Sequence, residues 1–262
     1  MGFLTDLVDG IRRELDQHPL DDVSLMARAT AMPPARPFED ALRGAAPPAL
    51  IAEVKRASPS AGTISADANP SALARAYEAG GAAAISVLTE PRHFQGSLAD
   101  LQAVRSSTSL PILRKDFLIH PSQLIESRAA GADAVLLIVG TLTDPQLQAL
   151  LSTARDLGLG TLVETHSDED LRRAVAADAA VIGVNARDLE TLDVDVDAAL
   201  ARIATLPHDR VGVLESGVAG RGDVDAALAA GASAILVGEA LMRADDPARA
   251  VRKLVWKELR AT

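Results

Sequence analysis

Cysteine is absent from the 262-residue chain. Disulfides, thiolate metal sites and thiol nucleophiles are thereby excluded together, and the composition fits a reducing, cytoplasmic setting. No apolar stretch approaches the ~20 residues needed to cross a bilayer. The first residues show no basic segment leading into an apolar run, so no secretory leader is expected. Runs of basic residues are missing too, and the net charge is −10. Neither nucleic acid nor an anionic membrane is expected as a partner of such a chain. A small anionic ligand remains compatible, because a site can be locally positive.

Lysine is scarce: four residues, Lys55, Lys115, Lys253 and Lys257, stand against 22 arginines. Lys253 and Lys257 fall on a C-terminal helical pattern, where a solvated role is expected. Lys55 and Lys115 each close a short apolar run. A compact ammonium can move a proton when its surroundings tune it, whereas a guanidinium stays charged. Several nucleotide and hydrolase signatures are missing. Gly158 and Gly160 make only a fragment of GxGxxG, no Walker motif occurs, and no GxSxG elbow supports a Ser-His-Asp triad. The five histidines, at 18, 93, 120, 166 and 208, have no i, i+4 ligand spacing. No metal is assigned, and surface or loop positions are expected for all five.

What is present is a hydrophobic fraction of 48%, ample for a large core. Eight short apolar runs recur: Leu50–Lys55, Ala83–Leu88, Pro111–Lys115, Asp133–Val139, Gly160–Glu164, Ala180–Asn185, Arg210–Ser216 and Ala234–Gly238. They read as buried, parallel strands. Helical patterns lie between them, including Pro70–Ala79, Pro121–Ala130, Pro145–Leu157, Asp168–Ala177 and Asp223–Ala230, several opening on Pro or Asp. Three close on a Gly that can stop the helix: Gly81, Gly131 and Gly231. Run starts are spaced by roughly 20 to 33 residues, the length of a βα unit. Eight such units predict an α/β fold, a (β/α)8 TIM barrel, over a doubly wound open sheet. We expect one domain, 1–262, with 1–45 as an N-terminal helical extension. There Phe3, Leu4, Leu7, Val8, Ile11 and Leu15 mark one helix face before Pro33, Pro34 and Pro37 interrupt the chain. The eight units account for the chain from Leu50 onward, so the barrel is expected to close without this arm.

Active sites of such barrels lie at the C-terminal strand ends. The polar groups there are Glu53 and Lys55 in the first run, Lys115 in the third, Glu164 in the fifth, Asn185 in the sixth, and Glu215 with Ser216 in the seventh. Glu53 and Lys55 are two apart and share a face. A self-neutralising ion-pair network could explain any one of these charges. Their convergence on the functional end favours a ligand as a further partner. Ser216-Gly217 and Gly238-Glu239 follow the last two strands, where barrels often hold phosphate, and the Ser58-Pro59-Ser60 loop could add a hydroxyl.

The segments Glu53-Val54-Lys55-Arg56-Ala57-Ser58-Pro59-Ser60, Ser86 to Pro91 with Phe94-Gln95-Gly96-Ser97, Leu113-Arg114-Lys115-Asp116-Phe117, Asp133 to Ile138, Asn185-Ala186-Arg187-Asp188-Leu189, Glu215-Ser216-Gly217 and Val237 to Met242 resemble the indole-3-glycerol phosphate synthase family. The likeness is collinear from about residue 50 to the C-terminus. Leu192 stands where that family often has Phe. The resemblance implies a phosphorylated small-molecule substrate, 1-(2-carboxyphenylamino)-1-deoxyribulose 5-phosphate, and no cofactor. It implies Lys115 as general acid, Lys55 on the anthranilate carboxylate, and Glu164 stabilising a cationic intermediate. Glu53 and Asn185 would place the reacting hydroxyl, and Glu215 and Ser216 would support the ribulose chain. Pro59, Phe94, Phe117, Leu136 and Ile138 would line the aromatic slot, Arg187 and Leu189 the sixth-strand edge, and Ser58, Gly217, Gly238 and Glu239 the phosphate loops. In that family the extension helps cover the ligand. A neighbouring barrel family, phosphoribosylanthranilate isomerase, relies on a Cys base that this chain lacks. A non-catalytic phosphosugar-binding barrel would have little need of Lys115 and Glu164. A monomer is expected, since no sustained heptad or interface stripe is visible.

Overall fold

In a computed structural model, which describes residues 2–255, eight parallel strands close into a barrel. We number them β1 (Ala49–Val54), β2 (Ala84–Leu88), β3 (Ile112–Lys115), β4 (Ala134–Ile138), β5 (Gly160–Thr165), β6 (Val181–Asn185), β7 (Val211–Glu215) and β8 (Ala234–Val237). Neighbours in sequence are neighbours in the barrel, and β1 closes on β8 through Leu50 beside Ile235 and Ala52 beside Val237. Each strand falls inside or within one residue of an apolar run expected from sequence.

Side chains alternate about each strand, and that alternation builds two cores. Leu50, Ala52, Ile85, Val87, Val135, Leu137, Ile182 and Val184 face outward into the layer shared with the helices. Ala49, Ile51, Leu113, Ala134, Leu136, Leu162, Val213 and Leu236 fill the barrel interior. The inward row of each strand, continued towards its C-terminal end, reaches Glu53, Lys115, Glu164, Asn185 or Glu215. A two-residue period thus delivers the charged groups to one mouth.

The surrounding helices include α4 (Pro70–Gly80), α5 (Leu98–Arg105), α6 (Pro121–Ala129), α7 (Asp144–Asp156), α8 (Asp168–Ala176), α9 (Val196–Ile203) and α10 (Arg221–Ala229). Short α11 (Glu239–Met242) follows β8, and α12 (Pro247–Val255) packs against α4 through buried Val251. Gly81, Gly131 and Gly231 each take φ of 95° or 96° where a helix hands over to a strand, a left-handed turn that a β-carbon would strain. Lys253 is exposed on α12. Lys257 and the side chain of Phe3 lie outside the described residues.

The extension forms three helices, α1 (Phe3–Gln17), α2 (Asp22–Ala31) and α3 (Phe38–Gly44). Leu4, Leu7 and Ile11 of α1, like Phe94 and Leu189, pack against the barrel-interior core. Thr5 donates to Glu190 at 3.1 Å, and Arg92 pairs with Glu14 at 3.0 Å, tying α1 to the loops after β6 and β2. Ala29 of α2 packs on Ile125 and Ala129 of α6. At the opposite end, Phe38 and Leu42 of α3 are each 2% exposed and belong to the barrel-interior core. A β-carbon at Gly160, the first residue of β5, would lie 3.0 Å from the Phe38 β-carbon. The arm therefore caps one mouth and plugs the other. Its third helix is core, which runs against the expectation of a barrel closed without residues 1–45.

Candidate active site

A cavity of about 420 Å³ opens at the C-terminal mouth, within the range of small-molecule sites. All the residues singled out from sequence line it: Glu53, Lys55, Lys115, Glu164, Asn185, Glu215, Ser216, Ser58, Pro59, Phe94, Phe117, Leu136, Ile138, Arg187, Leu189, Gly217, Gly238 and Glu239.

Lys115 is the centre of the charged floor. Its Nζ lies 2.7 Å from Glu164 Oε2 and 3.4 Å from Glu215 Oε2. Burial alone would drive the ammonium towards neutrality. The carboxylates of Glu164, Glu215 and Glu53 outweigh it and hold the lysine's proton affinity above the ordinary range. Glu164 is fully buried, which opposes ionisation, but Lys115 and His166 more than offset this and keep its pKa below the ordinary carboxylate range. Glu215 behaves in the opposite way. Burial, reinforced by the Glu164 charge, raises its pKa well above the ordinary value. Beside the Lys115 ammonium, the floor thus favours the ionised form of Glu164 and disfavours that of Glu215.

Two glycines make room for these acids. A β-carbon on Gly183 of β6 would lie 2.0 Å from Glu215 Oε1, and one on Gly238 would lie 2.3 Å from Glu53 Oε1. Gly238 thus serves the carboxylate beneath it as well as the loop above. Lys55 pairs with Glu53 at 2.9 Å. Asn185 donates from Nδ2 to Glu164 Oε1 at 3.0 Å and accepts the Arg187 N–H on Oδ1 at 3.0 Å, so one amide orients both the acid and the following loop. Arg187 donates to the Leu192 carbonyl at 2.8 Å, bracing a loop in which Leu192 takes φ 66°.

The walls are apolar. Phe94 and Phe117 stand with ring centroids 6.2 Å apart, tilted by 44°, and Leu136 and Ile138 of β4 line the same cavity. Ser216 takes φ 63°, unusual for a residue with a β-carbon, and Gly217 follows at φ 75°. A β-carbon on Gly217 would also lie 2.4 Å from Val196 Cγ2. Ser58 sits in a small hairpin, Ala57–Ser58 paired with Gly62–Thr63, and its Oγ accepts the Ala61 N–H at 3.1 Å.

Ser60, Asp116 and Arg243 also line the cavity and His166 stands beside Glu164, none of them singled out from sequence as a site residue. Arg243 lines the cavity and holds the Glu239 carboxylate at 3.0 Å. The i, i+4 spacing on α11 was the available signal. His166 was expected at the surface or in a loop. It does lie in the loop directly after β5, with its Nε2 3.1 Å from Glu164 Oε1 and its side chain 15% exposed. His18, His93, His120 and His208 are exposed, as expected.

Residues 4–254 match the family model for indole-3-glycerol phosphate synthase. The chain belongs to the indole-3-glycerol phosphate synthase family. A relative of that name from Rhodococcus opacus is 49% identical, with 97% of this chain and 95% of the relative covered. One from Mycobacterium avium is 50% identical over 96% of this chain and 93% of its own length. One from a Nocardioides species is 49% identical over 98% and 100%. Among solved structures, 3-hexulose-6-phosphate synthase superposes with a TM-score of 0.61 at 19% identity, covering 79% of this chain and 97% of its own. Thiamine phosphate pyrophosphorylase from Pyrococcus furiosus gives 0.60 at 17%, covering 83% and 96%. Those two likenesses speak for the barrel alone. The family's enzymes are carboxy-lyases of tryptophan biosynthesis that close a ring with decarboxylation.

Proposed function

We propose that this chain converts 1-(2-carboxyphenylamino)-1-deoxyribulose 5-phosphate into indole-3-glycerol phosphate, CO2 and water, using its own side chains. The observation that carries the reading is Lys115, charged and held in the cavity floor between Glu164 at 2.7 Å and Glu215 at 3.4 Å. Attack of the aromatic carbon on the ketone puts negative charge on the ketone oxygen. Lys115 donates a proton there as general acid. The ring-closed intermediate is cationic, and ionised Glu164 stabilises it before CO2 leaves. Lys55 holds the anthranilate carboxylate and assists dehydration. Glu53 and Asn185 place the departing hydroxyl. Neutral Glu215, with Ser216, supports the ribulose chain without adding a second anion beside it.

Phe94, Phe117, Pro59, Leu136 and Ile138 enclose the aromatic ring, with Arg187 and Leu189 closing the edge after β6. Ser58, Gly217 and Gly238 face the phosphate. Glu239 is an acid in an anion loop. Arg243 draws its carboxylate aside, so that the backbone contributes rather than the charge. α1 covers the mouth and excludes water from the charged floor.

Incubation with the substrate, followed by indole fluorescence and by CO2 release, tests the reading. Both signals should appear together. A fluorescent product without CO2, or neither signal from folded protein, would refute it. Inorganic phosphate should compete with substrate, and Gly217→Ala should raise KM more than it lowers kcat, since phosphate grip is largely uniform binding.

A further inference from the structure

Glu164 has partners on both oxygens. Lys115 donates to Oε2 at 2.7 Å and Asn185 to Oε1 at 3.0 Å, while His166 Nε2 lies 3.1 Å from Oε1, close enough for ion pairing but off the angle of a hydrogen bond, so that a small ring rotation completes the contact. Lys115 and Asn185 line the cavity, whereas His166 is absent from its wall. The histidine is held at its backbone, whose N–H donates to Asp170 Oδ2 at 3.2 Å. Asp170, 3.8 Å from Arg173, faces it from α8, and Asp188 lies within its electrostatic reach on the loop after β6. Asp188 is exposed. The imidazole, itself 15% exposed, therefore stands between a fully buried carboxylate and the exposed loop that carries Asp188.

The reaction proposed for this site has an unbalanced proton demand. Ring closure forms a C–C bond and delivers one proton to the ketone oxygen. Loss of CO2 returns its electron pair to the aromatic ring and moves no proton. Dehydration delivers a second proton to the departing hydroxyl and recovers one from the breaking C–H bond. Substrate carboxylate plus one proton gives product, CO2 and water, so each turnover draws one proton from solvent. At that moment the cavity is filled by ligand and its mouth lies under α1. Lys115, the donor, touches the substrate side and the two buried acids.

We propose that His166 returns this proton in two steps: the imidazolium Nε2 first protonates the Glu164 carboxylate, and the resulting carboxyl then gives that proton to the neutral Lys115 Nζ left by the previous transfer, so that His166 ends as neutral imidazole and Glu164 as carboxylate. Imidazole is the side chain suited to exchange protons with water near neutrality. His166 touches Glu164 and not the substrate, so it is a positioning and relay residue. The inference rests on the reaction proposed for the site.

The test uses the full chain with His166→Gln, which retains a hydrogen-bond donor and lacks an exchangeable proton at neutral pH. The expected result is a fall in kcat on the order of 10²-fold, the lower end for loss of a positioned proton donor, with KM nearly unchanged. Added imidazole at fixed pH and ionic strength should restore part of the rate in the variant and leave the wild type unaffected. Lys115→Met should not respond to imidazole. A His166→Gln enzyme with wild-type kcat overturns the proposal. So does one that is slow but indifferent to imidazole, since that would leave His166 only a prop for Glu164. If His166→Gln does not fold, His166→Asn is read by the same two criteria, and failure of both to fold assigns the residue to structure and overturns the relay. Wild-type turnover in the same assay judges the reaction separately. An inactive wild type refutes the reaction, whereas an active wild type with an unaffected variant refutes only the relay.

Discussion

The two ends of this barrel both bury charge, and they treat it differently. At the N-terminal end Asp133 is fully buried and saturated. It accepts from the Arg36 N–H at 2.7 Å, the Ile112 N–H at 3.0 Å, and Arg105 Nη1 at 2.6 Å on both oxygens. At the C-terminal end Glu215 is 1% exposed, and neither oxygen accepts a hydrogen bond of ordinary geometry among the described residues. Its neighbours are a lysine at 3.4 Å and another acid. Both ends are also closed by one arm, α3 below and α1 above. A saturated buried charge fixes a shape, because its desolvation is already offset. A buried carboxyl left without hydrogen bonds at a cavity keeps capacity for a ligand.

Truncation separates the two ends most sharply. Removing residues through Gly44 strips Phe38 and Leu42 from the interior. Buried Phe and Leu truncations cost about 3–5 and 2–5 kcal/mol respectively, together comparable to the whole stability of a domain. We expect no cooperative thermal transition from that fragment. Removing only residues through Gln17 should leave the circular dichroism spectrum and the melt nearly intact and raise KM substantially. A folded, active fragment lacking residues through Gly44 would show that α3 is packing without consequence.

Lys115→Met is the next largest effect. It should lower kcat by ~10²–10⁴-fold, the usual loss for a general acid, in a protein that still folds but melts lower, because buried Glu164 loses its ammonium partner. Lys115→Arg should also be poor, because guanidinium keeps its proton. Near-wild-type kcat in folded Lys115→Met would remove the acid role. The mirror experiment is Asp133→Ala, which leaves Arg105 and two backbone N–H groups unpaired. Breaking a buried pair in this way costs about 3–5 kcal/mol, read by urea unfolding. Measured at a temperature where the variant stays folded, its kcat should match wild type. A large kcat change with unchanged stability would mean that the two ends are coupled.

The same contrast governs what the sequence made legible. The barrel strands stood out because inward and outward faces are both buried, so each reads as a dense apolar run. The charged floor stood out because Glu53, Lys115, Glu164 and Glu215 interrupt those runs at one end. His166 makes no i, i+4 ligand spacing with another histidine. Yet it lies two residues beyond Glu164, the same strand period that pairs Glu53 with Lys55. α3 was obscured by Pro33, Pro34 and Pro37, which read as an interruption. Phe38 and Leu42, four apart directly after Pro37, carried the signal of a buried helix face. α5 and α9 are eight residues each, too short for periodicity to announce, although Ser97 and Asp195 cap their first turns through bonds to Asp100 N–H at 3.1 Å and Ala198 N–H at 2.9 Å. The saturation of Asp133 depends on Arg36 and Arg105, 97 and 28 residues away in sequence, and no local pattern encodes it.

Glu215→Gln gives the smallest and most discriminating effect. Folding raises the Glu215 pKa above its unfolded value, through burial first and the Glu164 charge second. Between the ordinary carboxylate pKa of about 4.3 and the folded value, the native state holds a proton that the unfolded chain has released. Stability from this group is therefore complete below the unfolded pKa and declines as pH rises, by up to about 1.4 kcal/mol per pH unit in that window. Gln is neutral throughout and has no such slope. Melts of the two proteins from pH 5 to pH 8 should diverge, with Glu215→Gln gaining on wild type as pH rises. Glu164 should behave in the opposite sense, since its folded pKa is depressed by Lys115 and His166 against the opposing effect of burial. Its contribution persists above the ordinary carboxylate range and fades only under stronger acid. If the Glu215→Gln and wild-type melts ran parallel across the range, Glu215 would be ionised in the folded protein. The floor would then hold two carboxylates against one ammonium, and the neutral support assigned to Glu215 would fail.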